Sequence, residues 1–342
     1  MPTRRQVALA ARIGALAAEP DRTAAGTAAV EMLAEALSGD ACAVVCRDPV
    51  GGAHRGMASH AYPGGVLDVL SGDFVRSRWF EAVLAGPLPP SISTEPGQSF
   101  RHGWIYEHHL APAGFRDGMT GALRRNGRYV GLVHISSSRA RRFDDAAQET
   151  LQAVLPVFAA IADPFAEAHR SLSAGAPHAR PARAAVVRDG QVLDVPDRTR
   201  PAALADARLR QVVDDFAASA GHRLRMLWPA GGAWVRLLLA RQTGLGTLVQ
   251  ERPCAPPYGL TERELDVLTR LAMGMTDQAI AAELMVSPRT VHSHVGHVLD
   301  RIDVRSRAEA SGVAVREGLV RPLPGMLLRP GVRCFVETEA AH

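Results

Sequence analysis

The most regular alternation of apolar and polar positions lies towards the end of the chain. Val291, Val295, Val298 and Ile302 step by four, three and four residues, which keeps them on one stripe of a helix. At about 100° per residue the opposite side carries Arg289, His292, Ser293, Gly296, His297 and Asp300. Just upstream, Ala279, Ile280 and Leu284 repeat at helical spacing. The pattern also predicts helices over about 5 to 18, 27 to 38 and 203 to 219, and a long amphipathic one within 143–165 opened by Asp144 or Asp145. Extended runs predict strands at 41 to 47 and near 54 to 61. Strand-like runs flank Asn126-Gly127 and Asp189-Gly190, both hairpin signals. Three further strands, HRLRMLW, AWVRLLLA and LGTLVQER, are separated by glycine-containing turns.

Helix starts are written into residues 259–321. Thr261 with Glu264 and Ser306 with Glu309 fit a capping box, and Ser287 before Pro288 gives an N-cap and a first-turn proline. Thr276 caps the remaining helix, and Gly274 stops the one before it. Short helices, a tight turn and one polar outer face are the parts of a helix-turn-helix, whose polar side chains read base edges in the major groove. On periodicity alone, a small helical subdomain with a merely solvated face is as good a reading.

Written as L-T-x-R-E, V-L-x-x-L-A-x-G, I-A-x-x-L, V-S-x-R-T-V-x-x-H-V and V-x-S-R-A-E-A, these residues closely resemble the LuxR-type C-terminal DNA-binding domain. The resemblance covers about sixty residues and implies a transcription regulator that binds double-stranded DNA. It makes 287–302 the recognition helix, with 276–284 supporting it. His292, Ser293 and Gly296 match its base-facing positions, and Arg289, Thr290, Arg305 and Arg307 match positions near the phosphates. His297 lies on the same face, and Arg301 is expected beside Arg289, Arg305 and Arg307. Family members commonly carry lysine or arginine where His292 and Gly296 stand, so direct readout is expected to be thin.

Charge sharpens that expectation. Residues 259–321 hold eight arginines against nine carboxylates, a net −1 with histidines neutral. Phosphate contacts normally supply much of a DNA-binding protein's affinity, so one copy should bind weakly. Two copies on two half-sites would multiply it, and a homodimer on DNA is expected.

The expected fold class is α+β multidomain. Residues 1–168 resemble a GAF-type sensory domain in their order of helices, strands, variable middle and hairpin. That resemblance implies an antiparallel sheet with helices and a pocket for a small-molecule ligand, or nothing, beneath the middle segment. A linker is predicted at 169–183, a small PAS-like α+β unit at 184–252, an all-α four-helix LuxR-type module at 257–322 and a tail at 323–342. Pro253, Pro256 and Pro257 mark a hinge before the helices, and Pro330-Gly331 suggests a hairpin in the tail.

The chain contains no lysine, which excludes a Walker A phosphate loop and a Schiff base. No stretch approaches a membrane span or a persuasive signal peptide, and a cytoplasmic location is expected. Cys42 and Cys46 on one strand would sit about 13 Å apart, too far for a disulfide. No catalytic constellation or zinc spacing emerges, so neither an enzyme nor a cofactor is expected. His102, His108 and His109, with Trp104 and Tyr106, keep a haem or metal redox sensor open beside a ligand-sensing regulator and a constitutive DNA-binding protein with dimerising domains. RNA polymerase remains a candidate partner.

Overall fold

The computed structural model describes residues 3–19, 21–173, 183–255, 257–329 and 336–337. The chain divides into two units, Met1–Glu167 and Ala168–His342.

The first unit opens with α1 (Arg4–Leu16), capped by Thr3 and Gln6, and α2 (Arg22–Leu37), capped by Asp21. Then come β1 (Ala41–Arg47), β2 (His54–His60), α3 (Val66–Ser71), α4 (Arg78–Ala85), β3 (Asp117–Arg125), β4 (Arg128–Ser137) and α5 (Asp145–Ala162). The strands form an antiparallel sheet in the order β2-β1-β4-β3. Period-two alternation sends Cys42, Val44, Val133 and Ile135 into one core with α1, α2 and α5. Ala41, Val45 and Leu132 belong to a second core, with Leu70 of α3 and Val83 of α4. Asp144 caps α5 as the sequence predicts. Asn126 and Gly127 take positive φ in the predicted hairpin turn. Asp117 ties the variable middle to the sheet: its buried carboxylate accepts N–H bonds from Ser93, Gly118 and Phe143 at 2.9–3.1 Å.

The predicted linker begins later than 169, because a separate helix, α6 (Ala166–Ser173), runs to Ser173; residues 174–182 lie outside the described set. The second unit follows with β5 (Arg183–Arg188), β6 (Gln191–Asp194), α7 (Ala207–Ala218), β7 (Arg223–Ala230), β8 (Ala233–Gln242) and β9 (Gly246–Cys254). Its helices are α8 (Glu262–Ala272), α9 (Asp277–Leu284), α10 (Pro288–Arg301) and α11 (Arg307–Glu317), and β10 (Val336–Glu337) is last. The sheet is six-stranded and antiparallel, in the order β10-β7-β8-β9-β5-β6. The fold class is thus α+β, with antiparallel sheets and an all-helical segment after β9.

The expected hinge does not separate two cores. Leu265, Leu268, Val298, Ile302, Ala310 and Ala314 of the helices share one buried cluster with Met226, Trp228 and Leu237 of the sheet and Phe216 of α7. Leu227 N–H donates to the Val320 carbonyl at 2.9 Å, and Arg236 donates to the Glu317 carbonyl at 2.9 Å. Gly318 ends α11 at φ +65°, and a Cβ there would meet Arg225 at 2.8 Å, so only glycine lets the chain pass so close to β7. The tail does not stay apart either: Val336 and Glu337 pair with Leu224 and Arg223 of β7. The hairpin predicted at Pro330-Gly331 lies outside the described residues.

Candidate nucleic-acid interface

Local capping positions the helices. Thr261 and Glu264 complete the capping box of α8, with the Thr261 N–H 2.8 Å from Glu264 Oε2. Ser287 accepts the Thr290 N–H at 3.0 Å and opens α10, with Pro288 in its first turn. Thr276 caps α9. At α11 only half the box forms: Ser306 accepts the Glu309 N–H at 3.2 Å, while Glu309 Oε2 takes the Arg305 N–H at 2.8 Å.

The stripe Val291, Val295, Val298 and Ile302 is buried, as its spacing predicts. Val291 and Val295 pack with Ile280 and Leu284 of α9 and Leu271 of α8. Arg289, Thr290, His292, Ser293 and His297 are exposed, and Gly296 is half-buried with nothing within 4 Å of where a Cβ would stand. The structure therefore brings these six together on one solvent-facing surface of α10.

The arginines divide. Arg289 and Arg305 are exposed, and neither guanidinium makes an ion pair among the described residues. Arg301 lies along α10 with Nε 3.3 Å from Glu264 Oε1 and also donates to the Gly259 carbonyl. Arg307 is paired with Asp277, the first residue of α9, and donates to the Met275 carbonyl at 2.9 Å. His292 Nδ1 stands 3.6 Å from the same Asp277, and His297 Nδ1 3.9 Å from Glu264. Burial pushes the Glu264 carboxyl upward, but the Thr261 N–H and hydroxyl, with Arg301, outweigh it and hold the group below the usual glutamate value.

Sequence reasoning missed which arginines are spoken for. Arg321 is buried against Asp266 and Glu262, Arg270 against Glu283, and Arg263 donates to the Leu284 carbonyl at 2.8 Å. Nothing local to those positions signals a partner. It also missed Met285, which takes φ +52° in the turn between α9 and α10 and is 91% exposed.

The other candidates fall elsewhere. Trp104 stacks on His108 at 5.8 Å and meets His109 edge-on at 4.5 Å, so that segment packs on itself. Among the described residues no group of three His, Cys, Asp or Glu could hold a metal ion. Burial raises both the Cys42 and Cys46 thiols, the latter to about 11. Among the described residues no single helix is long and apolar enough to cross a membrane.

Residues 259–314 match the family model described as bacterial regulatory proteins, luxR family. An uncharacterized transcriptional regulatory protein, YhcZ of Bacillus subtilis, is 44% identical over 62 residues, 18% of this chain and 29% of that protein. The probable transcriptional regulatory protein NarL of Mycobacterium tuberculosis is 42% identical over 77 residues, 22% of this chain and 36% of its own. The nitrate/nitrite response regulator protein NarP of Escherichia coli is 48% identical over 52 residues, 15% and 24% of the two chains. The chain thus spans about a third of the length of the curated relatives it matches. A GAF domain from a Coxiella burnetii phosphoenolpyruvate-protein phosphotransferase, 18% identical, matches 50% of this chain and all of its own with a TM-score of 0.39. That score supports no functional transfer. With the helices, their caps and the family match in agreement, residues 259–314 are a helix-turn-helix domain of the luxR family of bacterial regulatory proteins.

Proposed function

We propose that the chain is a transcription regulator that binds promoter DNA as a homodimer, laying α10 into the major groove of each half-site. The observation that carries this reading is the polar surface of α10, held outward by a fully apolar buried stripe within a family-matched domain. His292, Ser293 and His297 face the base edges in this reading, Gly296 leaves the groove floor unread, and Arg289, Thr290 and Arg305 meet phosphates. Arg301 and Arg307 act mainly by fixing α10 and α11, since Glu264 and Asp277 already engage them. With so few free cations, pairing of two copies supplies the missing affinity.

In the same proposal, residues 1–168 form a sensory domain that takes a small molecule and biases the DNA affinity of the C-terminal helices. Such bias requires two states of different affinity. Because the helices share a core with the six-stranded sheet, a change in that sheet would be felt by them.

The test is genome-wide footprinting of the full chain, followed by titration on a protected site. Two half-sites one helical turn apart and cooperative occupancy are expected. Failure to protect any DNA would overturn the reading.

A further inference from the structure

Against the face of the four-stranded sheet turned away from α1, α2 and α5 lies a cavity of about 250 Å³. Leu70, Phe74, Trp79, Val83, Phe100 and Leu110 give it an apolar wall, half of it aromatic. From the sheet, Gly118, Thr120, His134 and Ser136 line it, residues paired across β3 and β4 as Gly118 with Ser136 and Thr120 with His134.

Most of the polar side chains on its wall already have partners. The Tyr62 hydroxyl meets Ser136 Oγ at 2.7 Å. Thr94 Oγ1 is 2.9 Å from Ser91 Oγ and accepts from Gln148 Nε2 at 2.6 Å. Glu95 accepts the Ser99 hydroxyl at 2.6 Å and the Phe100 N–H at 2.8 Å. Thr120 Oγ1 lies 2.9 Å from His134 Nδ1. That leaves His134 Nε2, on a side chain 2% exposed, buried and without a partner among the described residues. A buried polar atom left unpaired is costly; Nε2 has almost no surface open to the cavity, and a turn of the ring, which Phe74 meets edge-to-face at 5.1 Å, would bring it to a ligand's polar group.

The chemistry of the wall selects the ligand. No arginine or protonated histidine lines the space, since burial holds His134 neutral with its pKa lowered to about 3. An anion would enter without a counter-ion, at a large desolvation cost. Size follows from packing: a dry cavity of about 150 Å³ accommodates benzene, so this one takes roughly ten non-hydrogen atoms.

We propose that this cavity binds an uncharged, ring-bearing small molecule of about ten non-hydrogen atoms, whose single hydroxyl or carbonyl group hydrogen-bonds His134 Nε2. The proposal rests on the ligand-sensing part of the function proposed above and gives that ligand a chemical class.

Calorimetric titration of the full chain with 2-naphthol, naphthalene and 2-naphthoate tests it. 2-Naphthol should bind about fivefold more tightly than naphthalene, and 2-naphthoate at least tenfold more weakly than either. His134→Phe should keep naphthalene binding and erase the preference for the alcohol. Leu70→Trp, which fills the cavity, should remove binding of both; if His134→Phe does not fold, this variant and the ranking on the unaltered chain decide. Equal binding of 2-naphthoate and 2-naphthol, no binding of any probe, or a preference that survives His134→Phe overturns the proposal. A parallel DNA titration without probe separates the two readings. DNA binding with no 2-naphthol binding sinks the cavity proposal alone, whereas 2-naphthol binding with no DNA binding sinks the regulator alone.

Discussion

Arg321 Nη2 lies 2.7 Å from Asp266 Oδ1, and its Nε is 3.0 Å from the same oxygen, with both side chains largely out of water. The Arg321 backbone N–H also donates to Thr269 Oγ1 at 2.8 Å, so the segment after α11 is fastened to α8 twice. Removing one member of such a buried pair leaves the other charge uncompensated. Arg321→Ala should destabilise the C-terminal unit by about 3–5 kcal/mol. Urea unfolding checks it, and a loss below about 1 kcal/mol would show that water reaches Asp266.

The free and engaged arginines should separate in salt titrations. Arg289→Ala and Arg305→Ala are each expected to weaken DNA binding uniformly across sequences and to reduce the salt slope by about 1. Arg301→Ala, which breaks the contacts to Glu264 and Gly259, should lower the melting temperature and leave the slope nearly unchanged. Anisotropy titrations at two salt concentrations measure all three. Equal slope changes for Arg301 and Arg289 would mean that Arg301 leaves Glu264 on binding.

This division marks the limit of what sequence revealed. Caps are local: Thr261 with Glu264, Ser287 with Thr290 and Thr276 with Ala279 each span three residues, so the chain spells them out. The buried stripe of α10 was legible for the same reason. Arg321 and Asp266 are 55 residues apart, and no periodicity names such a partner. Nor could prolines at 253 and 257 reveal that the helices beyond them complete a core with Trp228. In the first unit the eye is drawn to His102, His108 and His109, yet the histidine beside the cavity is His134, in the middle of a strand. Only pairing with Thr120 and burial on both faces single it out.

The same histidine should shape stability against pH. Its folded pKa of about 3 lies below the unfolded value of 6.5, so the unfolded chain takes up the proton first. Stability is whole above about 6.5 and falls as pH drops towards 3, by about 1.4 kcal/mol per unit for this group. His134→Phe should remove that portion of the slope between pH 6.5 and 5. Identical slopes in urea unfolding of the two proteins would show that His134 is protonated in the fold.

Glu264 titrates to a similar effect lower on the scale. Its folded pKa is below the ordinary 4.5, so its contribution is complete above that value and is lost as pH falls through the lower folded value. Glu264→Gln keeps the shape and removes the charge facing Arg301 and His297. The variant should be less stable at neutral pH and should lose less on acidification below about 4.5. Thermal melts across that range decide it, and parallel curves would remove Glu264 as the link between α8 and α10.

Gly296 poses the sharpest question about the interface. It lies inside α10 on the outward face, and a Cβ there would touch nothing within 4 Å. Nothing in the protein itself therefore requires glycine, which costs a helix interior about 1 kcal/mol relative to alanine. Gly296→Ala should raise the melting temperature. If the glycine serves no purpose on DNA, the variant also binds as tightly as the parent, and Gly296→Arg binds more tightly with a salt slope steeper by about 1. If the backbone of α10 approaches the groove wall at this point, Gly296→Ala stabilises the free protein yet lowers DNA affinity tenfold or more. Melting curves and anisotropy titrations on the same two variants distinguish these outcomes, because a gain in stability with a loss of binding can arise only from contact made in the complex.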